Sequence, residues 1–356
     1  MGKVGTPCFL KLGVSAYFCL ILSCNMSTST NKIQNGYLNL CLYFDAMQYF
    51  KIKFIGIFSM IALLVIACQK DDDFSSLDIQ NFPERQQDFS LWQLYPFNFE
   101  VQMCYIIRTD DGKITVVDGG LPSSLERVTG YIQQLGGQVN TWITTHPHID
   151  HIGVLQEAIY QDKIRIDRIL HSKLNEEWVL KYENQNQKLV SNYNNILAQS
   201  EISVIEVKKA DIYKLGEGVD LEIIAVKNDS ITVNAINNSS LVFKIESKSK
   251  SILFLGDLGV EGGNELLRQT SLAALKADYV QMAHHGQNGV GLEFYKAVAA
   301  DYALWPTPKW LWENKAPNKG PGTGNYQTPE VRAWTENELN IKKNYVAGLE
   351  GNIQID

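Results

Sequence analysis

The sequence predicts one α/β domain in which two β-sheets pack face to face with helices on the outside. Three observations carry this. The chain has 356 residues and is 45% apolar, enough for a sizeable core. Short β-rich runs alternate with helical ones, but without the regular βαβ rhythm of a doubly wound parallel sheet. Two β-rich halves flank a long polar helical stretch at about 174–200, which reads as an insertion. No internal repeat and no second composition shift divides the body, so 87–356 is expected to be a single domain. Wholesale disorder, a collagen-like repeat and a pure coiled coil are excluded by the same composition.

The front of the chain differs from the rest. Five of the six cysteines, Cys8, Cys19, Cys24, Cys41 and Cys68, lie in the first 68 residues, so no disulfide framework holds the body, where Cys104 stands alone. In 47–68, Lys51 and Lys53 precede fourteen uncharged, mostly apolar residues, a length that fits an export signal better than a membrane span. The run ends in Val65-Ile66-Ala67-Cys68, which resembles the lipobox of bacterial lipoproteins. By that resemblance Cys68 is lipidated and becomes residue one. The Lys70-Asp71-Asp72-Asp73 that follows is similar to the tag that routes some lipoproteins to the outer face of the outer membrane. The expectation is therefore an exported, surface-exposed lipoprotein tethered through about 69–86. Residues 1–46 contain a weaker version of the same pattern ending at Cys24, and Met47 sits where a start codon is expected, so 1–46 reads as untranslated.

In the body, runs rich in β-branched and aromatic residues predict strands at 91–95, 101–108, 114–118, 141–145, 166–171 and 202–207. Further strands are expected at 221–226, 240–245, 251–255, 279–283 and 302–305. Helical spacing of apolar residues predicts helices at 123–135, 152–160, 174–199, 261–269, 292–299 and 328–338. Ser123 with Glu126 has capping-box spacing for the first of these. In the polar insertion, Trp178, Tyr182, Leu189, Tyr193 and Leu197 recur on one stripe by which it would pack.

The chemistry concentrates where the strand at 141–145 ends. Thr145-His146-Pro147-His148-Ile149-Asp150-His151 places four candidate ligands within six positions, and the whole chain has only six histidines. Imidazole and carboxylate donors at the end of a rigid strand suit zinc first, with manganese or iron as alternatives.

This His-x-His-x-Asp-His order resembles the signature of the metallo-β-lactamase superfamily, and three further elements match it in chain order. Asp118-Gly119-Gly120 is similar to the early Asp-Gly element that supports the metal loop from behind; Gly256-Asp257 to the motif whose carboxylate bridges two metals; and Ala283-His284-His285-Gly286 to the late histidine motif. The resemblance implies the superfamily's four-layer αββα sandwich and two divalent metal ions, zinc foremost. One would be held by His146, His148 and Asp257, the other by Asp150, His151, Asp257 and one of His284 or His285. Water bridging the two would be held as hydroxide, with Asp150 orienting it and the spare histidine protonating the leaving group.

Within that superfamily the stretch from Asn237 through Ser240 and Asp257 to His285 is similar to the soluble domain of ComEC-type DNA-uptake proteins and related phosphoesterases. That likeness puts Asn237 and Ser240 at the substrate. Gln287 stands where those relatives carry a serine. A histidine usual between the metal loop and the bridging aspartate is also missing; only His171 lies in that interval, too early, and it reads as structural. Trp305 and Trp310, with Trp312, sit in a turn-rich segment and offer faces on which a base or sugar would stack.

Charge narrows the substrate. The chain carries 32 basic and 39 acidic residues; 1–68 holds five lysines and one aspartate, leaving the rest at −11. A stable nucleic-acid complex is not expected, and a small or short phosphoester is. The expected function is metal-dependent phosphoester or phosphodiester hydrolysis at the cell surface, membrane contact being through the lipid. Two alternatives stand beside it: hydrolysis of a carboxylic ester, lactone or lactam, and a catalytically silent surface protein that binds a ligand through its tryptophans.

Overall fold

The computed structural model describes residues 88–95 and 100–356. The expected leader, Cys68 and the tether lie outside the described residues. The strands are β1 (Phe89–Gln93), β2 (Cys104–Thr109), β3 (Ile114–Asp118), β4 (Gln138–Val139), β5 (Thr141–Ile143), β6 (Arg165–Ile166), β7 (Arg168–His171) and β8 (Ser203–Glu206). After them come β9 (Ile212–Gly216), β10 (Val219–Ala225), β11 (Val242–Glu246), β12 (Ser251–Phe254), β13 (Tyr279–Gln281), β14 (Tyr302–Trp305), β15 (Lys343–Val346) and β16 (Ile353–Ile355). The longer helices are α1 (Leu125–Leu135), α2 (Ile149–Tyr160), α3 (Glu176–Tyr182), α4 (Gln187–Gln199), α5 (Val260–Gln269), α6 (Leu292–Val298) and α7 (Thr328–Asn337).

Two seven-stranded sheets form, in the orders β16-β1-β2-β3-β5-β7-β8 and β15-β14-β13-β12-β11-β10-β9, with β4 and β6 making a separate pair. The two are built alike. Each has antiparallel strands on one side (β1-β2-β3; β9 to β12) and a parallel extension on the other (β5-β7-β8; β13-β14-β15). The parallel strands of such a plan are the ones that need both faces covered.

Side-chain alternation divides the interior accordingly. Tyr105 and Ile107 of β2 and Ile252 and Phe254 of β12 point between the sheets, where Phe254 stacks on Phe243 at 5.0 Å and meets Tyr105 edge-on. Ile106 faces the other way, onto Val128, Ile132 and Leu155 of α1 and α2. Leu253 faces Leu266, Phe294 and Val331 of α5, α6 and α7. Three apolar layers between four structural layers are the αββα sandwich expected from the sequence.

Some expectations change. Ser123 does not cap α1: a 3₁₀ turn over Pro122–Ser124 leads into the helix, and no side chain caps it. Ser124 instead donates to Gln102 Oε1 at 2.7 Å, and Glu126 pairs with Lys163. The insertion is not one helix. Asn175 caps α3 by accepting from the Glu177 and Trp178 amides, and the chain then breaks at Glu183 (φ −146°, ψ 58°) before α4. Tyr193 and Leu197 do pack on the first sheet's helical layer, whereas Val179 and Val190 close on Leu174 and Ile236 as a small core of their own. Among the described residues no helix is long and apolar enough to cross a membrane.

A buried ion pair ties β1 to the β11–β12 turn. Lys250 Nζ lies 2.9 Å from Asp88 Oδ1, which also receives the Ser247 hydroxyl at 2.8 Å and the Phe89 amide at 2.7 Å, while Ser249 donates to the other oxygen. Burial would raise the Asp88 pKa, but these hydrogen bonds and the ammonium outweigh it and lower it from 3.8 to about 2. A depressed folded pKa stabilises above the unfolded value and stops doing so as pH falls through the folded one. The stability advantage of the parent over Asp88→Asn is therefore expected at pH 5 and should shrink toward pH 2, read from urea midpoints at the two pH values.

Candidate metal centre

The site forms where strand ends of both sheets meet. Gly256, at φ +54°, passes so close to the metal loop that an added Cβ would lie 2.8 Å from Thr145 Cβ and 2.9 Å from Ser240 Oγ. This contact between strand ends brings Asp257 to the histidines. Asp150 and His151 belong to the first turn of α2, which starts three residues earlier than the sequence suggests, with His148 as its N-cap residue.

Asp118 supports the loop from behind with both oxygens. Oδ1 accepts the Thr145 amide at 2.7 Å; Oδ2 accepts the Thr145 hydroxyl at 2.8 Å and lies 2.7 Å from His151 Nδ1. The carboxylate holds the His151 proton on Nδ1 and turns Nε2 inward, an arrangement typical of histidines that ligate metal. Its backbone (φ +60°) leads into Gly119 and Gly120, where added Cβ atoms would strike Trp142 at 2.9 Å and Gln102 at 2.6 Å. Such supporting partners contribute about 10–100-fold to metal affinity. Asp118→Asn is accordingly expected to weaken zinc binding by about that factor, measured by isothermal titration of metal-free protein.

One carboxylate oxygen lies at the centre. Asp257 Oδ2 is 3.3 Å from His151 Nε2, 3.5 Å from His285 Nε2, and 3.8 Å from both His146 Nε2 and His284 Nε2. Asp150 Oδ2 is 3.2 Å from His285 Nε2 and 3.8 Å from His151 Nε2. His148 Nδ1 approaches His146 Nε2 at 3.1 Å. Ligand atoms about 2.0–2.1 Å from one tetrahedral zinc are separated by about 3.3 Å, so these spacings suit shared ions. The buried nitrogens His151 Nε2 and His285 Nε2, although close to carboxylate oxygens, and the oxygen Asp257 Oδ1 make no well-aligned hydrogen bond, and a metal would satisfy them. Among the described residues two donor sets meet this description, His146 with His151 and Asp257, and Asp150 with His151 and His285.

The paired histidines both face the cluster. β13 ends at Gln281, and His284 and His285 take left-handed backbone (φ +52° and +55°) in a tight turn, so strand alternation no longer separates them. His285 is buried, with Nδ1 3.1 Å from the Pro306 carbonyl, which leaves Nε2 for the cluster. His284 is more open and has Asn237 Nδ2 3.4 Å from Nε2.

The electrostatics follow from burial against countercharge. Burial would lower the His151 and His285 pKa values, but Asp257 and its neighbouring carboxylates outweigh it, holding His151 well above 6.5 and His285 at about 9. Burial and the neighbouring His151 push His146 well below 6.5. Burial would raise Asp257, yet His151, His285 and His284 hold it well below 3.8.

Other sequence-predicted residues have different surroundings. Ser240 is fully buried, its Oγ accepting the Asp257 amide at 3.0 Å and lying 3.4 Å from His146 Nδ1, so it holds Asp257 and His146 in place and has no face for substrate. Asn237 is buried in the 3₁₀ turn Asn237–Ser239 and meets the site at His284. Trp305 cannot stack a ligand: it is fully enclosed, its indole N–H donates to Asn344 at 2.8 Å, and Gly286 packs against its ring. Trp310 is partly exposed and packs edge-on against Tyr326. His171 lies against Tyr193, its pKa lowered to about 4 by burial and by Lys173 and Lys227.

Residues 98–290, more than half of the chain, match the metallo-β-lactamase superfamily profile, and the chain belongs to that superfamily, whose members are usually metal-dependent hydrolases. It is similar to ComE operon protein 3 of Bacillus subtilis, 26% identical over 171 residues, 47% of this chain and 20% of that protein. It is also similar to the uncharacterized protein YobT of the same organism, 34% identical over 68 residues, 18% of this chain and 28% of that one. The chain thus spans less than a third of either relative. Among solved structures, YhfI of Bacillus subtilis, a metallo-β-lactamase fold protein, aligns at 12% identity and TM-score 0.46 over 75% of this chain and 100% of that one. Unliganded yeast PDE1 aligns at 12% identity and TM-score 0.45, over 76% and 99%.

Proposed function

We propose that this chain is a dinuclear metallohydrolase of small phosphoesters or phosphodiesters, tethered at the cell surface by lipid on Cys68. The observation that carries the dinuclear reading is the place of Asp257 Oδ2, within 3.8 Å of four imidazole nitrogens. A carboxylate so placed suits two ions at once, with His146 and His148 on one side and Asp150, His151 and His285 on the other. When bound, zinc ions supply Lewis acidity that activates water near neutral pH and neutralises charge on a phosphate.

The chain's own groups do the rest. Asp118 and the Pro306 carbonyl fix the tautomers of His151 and His285. Asp150, with a quarter of its side chain exposed, orients the attacking water and accepts its proton. His284, a fifth exposed at the open side of the cluster, protonates the leaving oxygen. His171, turned to Tyr193, adds no imidazole to the first donor set, which argues against antibiotic hydrolysis. The surface tether rests on the sequence pattern ending at Cys68 alone.

The test is a substrate panel on zinc-loaded protein: bis-p-nitrophenyl phosphate, p-nitrophenyl acetate, a lactone and nitrocefin. Phosphodiester turnover that chelator abolishes and zinc restores is expected. Ester or lactam turnover without phosphodiester turnover would contradict the substrate class.

A further inference from the structure

His148 has one ring nitrogen in the cluster and one outside it. Nδ1 faces His146 Nε2 at 3.1 Å, while Nε2 points into the helical insertion, 3.2 Å from Asn186 Nδ2 and 3.9 Å from Glu183 Oε1. Both partners lie in the break between α3 and α4, the feature that keeps the insertion from being one helix. Glu183 is held there from the far side, since its Oε2 accepts the backbone N–H of Ile236 and leaves Oε1 toward the imidazole. Ile236 closes on Leu174, Val179 and Val190, so the insertion's small core fixes the same loop that carries Asn237 and Ser240.

We propose that the insertion is the outer support of the first metal position, with Asn186 and Glu183 acting as positioning residues for His148. The inference rests on the metal reading of the cluster. If Nδ1 ligates, the ring proton must sit on Nε2 and needs an acceptor. Asn186 provides one when its amide is turned to present Oδ1, an exchange of two atoms of equal size. Glu183 adds negative charge beside the N–H, which makes Nδ1 a better donor to a cation. The insertion thereby compensates for a first position that draws no imidazole from His171.

The test is zinc affinity of the full domain, measured by chelator competition on parent, Asn186→Ala, Asn186→Asp, Glu183→Gln and His148→Ala, with the two loss variants repeated in the His148→Ala background. Glu183→Gln keeps an acceptor for the Ile236 amide, so the insertion stays folded, which thermal melting of the metal-free proteins checks. Asn186→Ala and Glu183→Gln should each weaken the weaker-bound zinc by about 10–100-fold, Asn186→Asp should restore binding, and neither loss should register once His148 is gone. Zinc bound equally by parent and variants, or the same loss in the His148→Ala background, overturns the role of the insertion. A parent that binds no zinc at all overturns the metal reading itself.

Discussion

Asp257→Asn is expected to strip the centre of metal and reduce phosphodiester turnover by more than about a hundredfold, beyond what loss of a supporting partner costs. The side chain is nearly isosteric, so the effect isolates charge. Asp257 is buried among four imidazoles, and its ionised state is held by His151, His285 and His284 against the cost of burial. A neutral amide removes the countercharge that two ions would share and points N–H groups at nitrogens that must act as donors to metal. Metal content per chain and kcat/KM on bis-p-nitrophenyl phosphate read the outcome. Full metal content with parental turnover would show that Asp257 bridges nothing.

The largest effect on stability is expected from Gly153→Ala, at about 3 kcal/mol or more, the upper end of overpacking costs. A Cβ there would lie 2.3 Å from Pro122 Cδ, 2.6 Å from Pro122 N and 2.9 Å from the Gly120 carbonyl. None of these is the far end of a flexible side chain, so α2 itself must back away. The Val154 amide donates to that same Gly120 carbonyl at 3.0 Å, and Gly120 N donates to the His151 carbonyl at 3.3 Å. Displacement of α2 therefore carries Asp150 and His151 with it, and about 1 Å of misplacement costs about 10²-fold in rate. Denaturant midpoints and kcat/KM should fall together; unchanged values of both would mean that α2 is not the element that sets the ligands.

Much of this was legible in the chain because buried strands and ligand clusters leave strong local signals. The runs 114–118, 251–255 and 302–305 reappear as β3, β12 and β14 almost residue for residue, since all three are paired on both sides and largely buried. Of the missed strands, β9, β15 and β16 lie on sheet edges, where alternation is weak and residues such as Lys343 and Gln354 face solvent, and β4 is a two-residue strand paired only with β6. His146, His148, Asp150 and His151 are close in sequence, and the fold gathers Asp257 and both late histidines around them. What sequence reasoning could not see is the third dimension of polar residues: Ser240 looks like a substrate contact until its hydroxyl is found under Asp257. Trp305 looks like a platform until its burial is known. Glu183 carried no signal, because a single acid in a polar helix is ordinary; only the break in that helix aims it at His148.

The most direct test of the central claim, that these imidazoles and carboxylates form a two-metal centre around Asp257, is anomalous diffraction from zinc-loaded crystals at the zinc absorption edge. Two peaks flanking the Asp257 carboxylate are expected, one against His146 and His148 and the other against Asp150, His151 and His285. A map with no anomalous density in this cluster, or with zinc held only elsewhere on the protein, would contradict it.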